Sequence, residues 1–472
     1  MNILNWNKNF NRLREAVSTQ APVDLWRTAV QKVTWQGVSV ALLATVSTVA
    51  SMDAAAVPLF ARQTGQNCQA CHAGGHFPEL TPYGRMFKLT GYTLGQRTSL
   101  PIAAMAVFTS TSVNGGTGTM ANGQPTFNTA SLFAGGKLTD SIGMLAQYTY
   151  NNYQDGTQSG HMGSDNTDIR YAKHIINDQT DLIFGFDANN NPGVEDVWNS
   201  SGAWGYNVVP GSTGTGANQL PLLAGGLAQQ AVGAGAYLYW NKTLYAELSG
   251  YRTGDGVFSF LTQQQGGQGA YLQGTNPYVR LALTHDWGTS NAMIGYTYFD
   301  ANVYEQPAGL YSGPGTYGNT GGPVDEHRDN MVDFQYQYLL DPNVFTFDAA
   351  YTNEQIFYGS GGLGGAGGTS DSINEFQAKA NYTYQAHYGV SLSYFNVTNT
   401  DNNGLNAAAT CGGSGPAGVG QCGTEGWTPD IYFMPVQNVR IGLQYTLFNR
   451  AYGTTVNATA NNTTMLYAWT VF

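Results

Sequence analysis

From Ile102 to Phe472 the chain repeats segments of about ten residues in which apolar and polar side chains alternate, the signature of a membrane-spanning β-strand. Within Ile142–Tyr153, Met144, Ala146, Tyr148 and Tyr150 share one face, and Gln147, Thr149 and Asn151 the other. Within Met331–Leu340, Val332, Phe334, Tyr336 and Tyr338 oppose Asp333, Gln335 and Gln337. Within Asn374–Gln385, Phe376, Ala378, Ala380, Tyr382 and Tyr384 oppose Glu375, Gln377, Lys379 and Asn381. The charged face suits either the solvated side of a soluble sandwich or the polar lumen of a barrel whose aromatic face meets lipid.

The connections choose between these. Short turns fall at Thr139–Ser141, Ile176–Gln179, Asn241–Thr243, His285–Ser290, Asp341–Asn343, Ala386–Tyr388 and Pro435–Gln437. Between them lie long Gly/Asn/Thr/Gln-rich segments, including Asn114–Asn128, Ala188–Gln229, Thr253–Asn276, Glu305–Asp329, Gly359–Ile373 and Asn399–Pro429. Seven short turns alternating with eight long loops make sixteen strands, with both ends on the short-turn side. An immunoglobulin-like sandwich does not keep every second connection short. The expected fold is an all-β transmembrane barrel of about 16 antiparallel strands over residues 98–472. Lipid enforces closure, because each unpaired backbone group at a sheet edge costs on the order of several kcal/mol there.

Ahead of the barrel stands Cys68-Gln-Ala-Cys71-His72. Two thiols at this spacing share one helical turn and can form thioethers to the two vinyl groups of a porphyrin, with the adjacent imidazole under the iron. A thioredoxin-type pair needs a βαβ context and a zinc site needs a second ligand pair. The other two cysteines, Cys411 and Cys422, lie far downstream in a Gly-rich segment. The expected cofactor is one covalent haem c, held by Cys68 and Cys71, with His72 as the proximal iron ligand.

Such a haem is attached outside the cytoplasm, so an export signal should precede it. Lys8, Arg12, Arg14, Arg27 and Lys32 lead into the short apolar run Gly37–Ala50, and Ala54-Ala55-Ala56 offers a small-residue cleavage site. Residues 1–56 are therefore expected to be a signal peptide, with the mature chain beginning near Val57. Five of the 19 basic residues and three of the 30 acidic ones precede Val57, leaving a net charge of −13 on the exported part. That balance argues against nucleic acid as a partner.

Residues 57–97 form the expected monohaem cytochrome segment, too short to bury a core without a staple. No flexible linker separates Gly95 from Ile102, so the segment should sit within the barrel lumen or at its periplasmic mouth. Its motifs are Phe60-Ala-Arg62-Gln-Thr-Gly65, Cys68/Cys71/His72, His76-Phe-Pro78, Gly84-Arg85, Phe87-Lys88 and Gly91-Tyr92, with a weaker run at Asn190–Trp204. In these the chain resembles the fused monohaem cytochrome–porins of iron-oxidising bacteria. The resemblance covers residues 59–95 by motif and the barrel by architecture. It implies an outer-membrane protein that takes electrons from extracellular Fe(II) and passes them through the haem to a periplasmic electron-carrier protein. Iron enters through the resemblance only. The rivals are another extracellular donor, a diffusion porin whose haem segment is only a structural plug, and a soluble β-rich cytochrome.

The distal iron ligand stays open between His76 and Met86, with Met105 as a third possibility; a thioether there raises the potential. Arg62, Arg85 and Lys88 are candidates for pairing with haem propionates, or else with lumen carboxylates such as Asp168, Asp333 or Glu375. Cys411 and Cys422, which enclose ten residues in one long loop, read as a disulfide in an exported chain. For transient Fe(II) contact the dispersed candidates near expected strand tops are Asp155, Asp165, Glu195, Asp196, Asp325, Glu326, His327, Asp329, Glu354 and Asp371, with Asp325-Glu326-His327 the best local cluster. The long loops Asn114–Asn128 and Gly359–Gly368 carry no charge, which suits an acidic exterior. Retention of fold in detergent at pH 2–3 is the expected result, and rapid loss of the barrel there would dismiss the idea.

Overall fold

The structure, a computed structural model, describes residues 59–75, 78–97, 100–115, 122–151, 161–200, 209–210, 212, 220–262, 271–304, 323–359, 370–399, 423–451, 455 and 457–472. The expected signal peptide, the Cys411–Cys422 pair, His76 and Asp155 lie outside these residues. Sixteen antiparallel strands follow one another around a closed barrel, from β1 (Ile102–Val113) to β16 (Thr463–Val471). The last pairs back on the first from Met105↔Val471 to Val113↔Thr463. No sheet edge is left, as a hydrocarbon environment requires. No helix among the described residues is long and apolar enough to cross a membrane.

Side-chain alternation sorts the strands as the sequence pattern predicts. Tyr148, Phe186, Leu248, Ile294, Val332 and Leu392 face outward and are exposed, whereas Gln147, Asp333, Gln335, Gln337, Glu375 and Lys379 face inward and are buried. An apolar exterior this extensive is a lipid-facing surface and excludes the soluble reading. Aromatic rings collect toward the short-turn end, where Trp240, Trp287 and Tyr384 are exposed and Tyr388 stacks on Phe433 at 5.2 Å. Such girdles mark the level of the membrane interface. The architecture is that of outer-membrane barrels.

The strands needed below are β3 (Ile142–Asn151), β4 (His161–Asn177), β5 (Thr180–Asn189), β6 (Ala231–Trp240), β7 (Leu244–Thr253), β8 (Asn276–Asp286), β9 (Ser290–Tyr304), β10 (Val324–Leu340), β11 (Asn343–Phe357), β12 (Ser370–Tyr384) and β14 (Thr424–Val436). Four of the expected long loops are shorter than the sequence suggests. The strands resume at Pro125, Val324, Ser370 and Thr424, so 125–128, 324–329, 370–373 and 424–429 belong to the sheet. Past the lipid both faces of a strand are polar and the alternation fades, while the ladder continues, as at Glu326↔Phe357 and Asp329↔Glu354.

Among the described residues, two pieces of chain occupy the lumen. One is residues 59–97, built from α1 (Leu59–Thr64), α2 (Cys68–Cys71) and α3 (Pro82–Leu89). The other is the connection after β5, which folds inward through α4 (Pro192–Glu195) instead of projecting from the barrel. Its residues Pro192 to Trp198 are buried.

Candidate functional site

Asn67 starts α2 because its side chain accepts the Ala70 N–H at 3.0 Å, a standard helix N-cap. The turn ends at once, and the His72 N–H bonds the Cys68 carbonyl at 2.8 Å. Cys68 and Cys71 are both free thiols, half-buried on this turn. Burial, with the neighbouring Cys68, pushes the Cys71 thiol up to about 11, and burial likewise raises Cys68. These are protonated thiols at neutral pH, unlike the low-pKa thiolates of redox and metal sites. Burial pulls His72 down to about 4 against the opposing charge of Glu79, so its ring is neutral, the form that ligates a metal. The donor set fits a covalently attached haem: two adjacent thiols for the vinyl groups and a neutral imidazole beside them.

The turn is braced from below. Thr81 caps α3 by accepting the Gly84 N–H at 3.1 Å, and the Thr81 N–H bonds the Cys71 carbonyl at 2.9 Å. At Gly84 a Cβ would stand 2.2 Å from the Cys71 carbonyl oxygen, so only glycine lets α3 approach the thiol turn this closely. Gly84→Ala is therefore expected to part α3 from α2. Limited proteolysis of the detergent-solubilised chain should cut between residues 65 and 81 in the variant and spare the parent; equal resistance would show that α3 tolerates the displacement. A small aromatic core completes the segment, with Phe60 stacked on Tyr92 at 5.4 Å and edge-on to Phe87 at 4.9 Å.

Polar side chains then fasten the segment to the wall. Arg85 donates to Gln335 (2.9 Å), Gln337 (3.2 Å) and Asn291 (2.7 Å). Lys88 Nζ donates to the Asp196 carbonyl (2.7 Å) and Asn199 Oδ1 (3.4 Å) of the inward connection. Burial lowers Arg85 to about 10 and Lys88 to about 8. Arg62 reaches the Ile102 carbonyl, Glu79 forms a buried ion pair with Lys379, and the Tyr92 hydroxyl donates to Asp168 at 2.5 Å. Asn199 also donates to the Pro78 carbonyl at 2.8 Å. The contacts at Asn291, Gln337 and Lys379 lie toward the short turns, and a Cβ at Gly75 would meet Ala386 in the β12 turn at 3.6 Å, so the segment sits in that end of the lumen.

None of the named carboxylates hydrogen-bonds Arg85 or Lys88, although the charge of Asp168 acts on Lys88. Asp168 takes Arg170 at 2.8 Å besides Tyr92, Asp333 takes Arg280, and Glu375 takes Gln377. Arg62, Arg85 and Lys88 hydrogen-bond neutral amide and carbonyl oxygens instead. Met86 packs at the edge of the cluster containing Leu89, Trp198 and Tyr237.

The iron-contact candidates separate. Glu195, the last residue of α4, and Asp196, which follows it, are at no strand top but buried in the lumen, because their loop folds inward. Asp325 and Asp329 are buried on the lumen side of β10 and His327 lies 3.2 Å from Glu354, whereas Glu326 pairs with Arg328 on the other face. The three-residue cluster is thus split by the period-two strand it occupies. Asp371 accepts from the Tyr358 hydroxyl at 2.7 Å, and Asp165 from Thr149 at 2.6 Å. Sequence reasoning missed Glu79–Lys379 and the carboxylates Asp187 and Glu247. Charged residues on the lumen face of a strand were the available signal.

No protein-family model matches the chain, and no curated protein does. Among solved structures it is similar to OmpTdeltaL8, a loop L8 deletion mutant of the Vibrio cholerae outer-membrane protein OmpT, at 12% identity over 79% of this chain and 98% of that one, with a TM-score of 0.44. It is similar also to the outer-membrane channel DcaP of Acinetobacter baumannii, at 11% identity over 79% and 96%, TM-score 0.44. Salmonella typhi OmpF, solved with daunomycin, gives 10% over 79% and 97%, TM-score 0.42. At these identities the likeness concerns the fold alone.

Proposed function

We propose that this chain is an outer-membrane cytochrome–porin that takes electrons from extracellular Fe(II) and passes them through one c-type haem to a periplasmic carrier. The observation that carries the reading is a Cys68/Cys71/His72 turn, both thiols free, fastened inside a closed membrane barrel. A haem bound there supplies one-electron carriage and nothing more is asked of it. Cys68 and Cys71 hold the group, and His72 is its proximal ligand. His76 and Met86 stand as distal candidates. Arg85, Lys88, Tyr92 and Glu79 fix the segment to the wall so that the site keeps one position. The short turns belong on the periplasmic side, which sets the thiol turn where a soluble carrier can dock. The resemblance of residues 59–95 to the iron-oxidising family supplies Fe(II) as the donor. Inward carboxylates on the taller strands, such as Asp325 and Asp329 on β10, suit a cationic donor.

The deciding test is optical. In proteoliposomes carrying the loaded protein, external Fe(II) is expected to reduce the haem, and a haem that stays oxidised would remove iron as the donor. A second test separates the diffusion-porin rival. The full chain should conduct little across a bilayer, and removing residues 57–97 should raise conductance at least tenfold. Porin-like conductance of the full chain, with the segment in place, would favour the rival.

A further inference from the structure

Asp187, Glu195 and Glu247 each bring one carboxylate oxygen into a group whose members all lie within 4.8 Å of one another. They come from β5, α4 and β7, and all three are at most 5% exposed. Neighbours hold the group in place. Ser249 Oγ lies 2.7 Å from Glu195 Oε1 and 2.8 Å from Glu247 Oε1. Tyr245 donates to Glu247 Oε2 at 2.6 Å, Tyr251 donates to Glu195 Oε2, and Asn189 donates to Asp187 Oδ2 at 3.0 Å. Asp187 Oδ1 is buried and has no hydrogen-bond partner among the described residues.

The nearby cations hydrogen-bond elsewhere, although the charge of Arg170 reaches Asp187 and Glu247. Arg170 holds Asp168 at 2.8 Å and the Glu195 carbonyl at 2.7 Å. Arg280 holds Asp333 at 2.8 Å and Asp196 at 3.0 Å, and Lys88 the Asp196 carbonyl. In this layer six buried carboxylates, Asp168, Asp187, Glu195, Asp196, Glu247 and Asp333, face three buried cations. Crowded carboxylates away from water must be neutralised by protons or by a cation. An all-oxygen donor set selects a hard divalent ion.

We propose that Asp187, Glu195 and Glu247 bind one hard divalent cation, which ties the inward connection to β5 and β7. The site stands on these carboxylates alone, so its failure would leave the proposed electron transfer untouched. The test uses the full chain in detergent at pH 7, stripped with chelator and titrated with Tb(III), whose luminescence Tyr245 and Tyr251 would sensitise. One saturable site is expected. Asp187→Asn with Glu247→Gln should weaken it at least tenfold, and Asp187→Asn alone should weaken it severalfold should the pair fail to fold. Asp140→Asn, in an exposed short turn where it pairs with Lys137, should leave it unchanged. Displacement of Tb(III) by Mn(II) ahead of Ca(II) identifies a transition-metal site and the reverse order an alkaline-earth site. Absence of saturable luminescence, displacement by neither ion, or equal affinity in the parent and both Asp187 variants overturns the proposal.

Discussion

Replacing Cys68 and Cys71 together by alanine should remove all thioether-linked haem from the exported chain while the barrel still folds. Both thiols are half-buried on a four-residue turn, and ordinary substitutions at such positions cost on the order of 1 kcal/mol. The ladder that closes β16 on β1 contains neither residue. Heat-modifiable migration on a gel would report the intact barrel, and haem-dependent peroxidase staining of the denatured band would report the covalent link. The expected result is unchanged migration with complete loss of stain. His72→Ala forms a second arm: both thioethers remain and stain persists, but the Soret band and reduction potential shift because an axial ligand is gone. Stain surviving in the double alanine variant, or absent from the parent, would end the covalent-haem reading.

The barrel was legible because lipid permits so few solutions. Alternation in segments such as Met331–Leu340, with every second connection short, leaves a closed antiparallel sheet as the only arrangement that satisfies the backbone. The thiol turn was legible for a similar reason, since the chemistry fixes its spacing. Strand tops were less so. Val324 to Asp329 reads as loop because both faces are polar, yet it pairs along β9 and β11. Hardest to read was the lumen. Nothing local marks Asn190–Ser200 as inward-folding; its burial depends on Arg280 from β8, Asp333 from β10 and Lys88 from α3, brought together only by closure. Partner choice within the plug was illegible likewise. Arg85 finds Gln335, Gln337 and Asn291, residues whose inward direction the pattern predicts but whose height along the lumen it does not.

Arg280→Met should release the inward connection, with the largest stability loss of any single change on this wall. The Arg280 side chain is fully buried and reaches Asp333 through both carboxylate oxygens at 3.1 and 2.8 Å, Asp196 at 3.0 Å, Ser200 at 3.2 Å and Thr297 at 2.8 Å. Its guanidinium also lies over the Trp198 ring, 5.6 Å from the centroid. Methionine fills much of the volume but strands two carboxylates, and removing one partner of a buried pair costs about 3–5 kcal/mol. Part of that loss falls on the barrel wall between β8 and β10. The rest falls on the connection, because the Asp196 side chain also accepts the Trp198 and Ser200 N–H groups. A clear fall in the denaturant midpoint is expected, together with new proteolytic cuts between residues 190 and 200. Adding Asp333→Leu and Asp196→Leu should restore much of the midpoint, since no charge is then left without its partner, but not the protection of the connection, which loses its anchor. An Arg280→Met chain with the parent's midpoint would mean that water reaches this layer and solvates both carboxylates. The lumen would then be wetter than its packing implies, and the plug would be held by Arg85, Arg62, Tyr92 and the Glu79–Lys379 pair rather than through the inward connection.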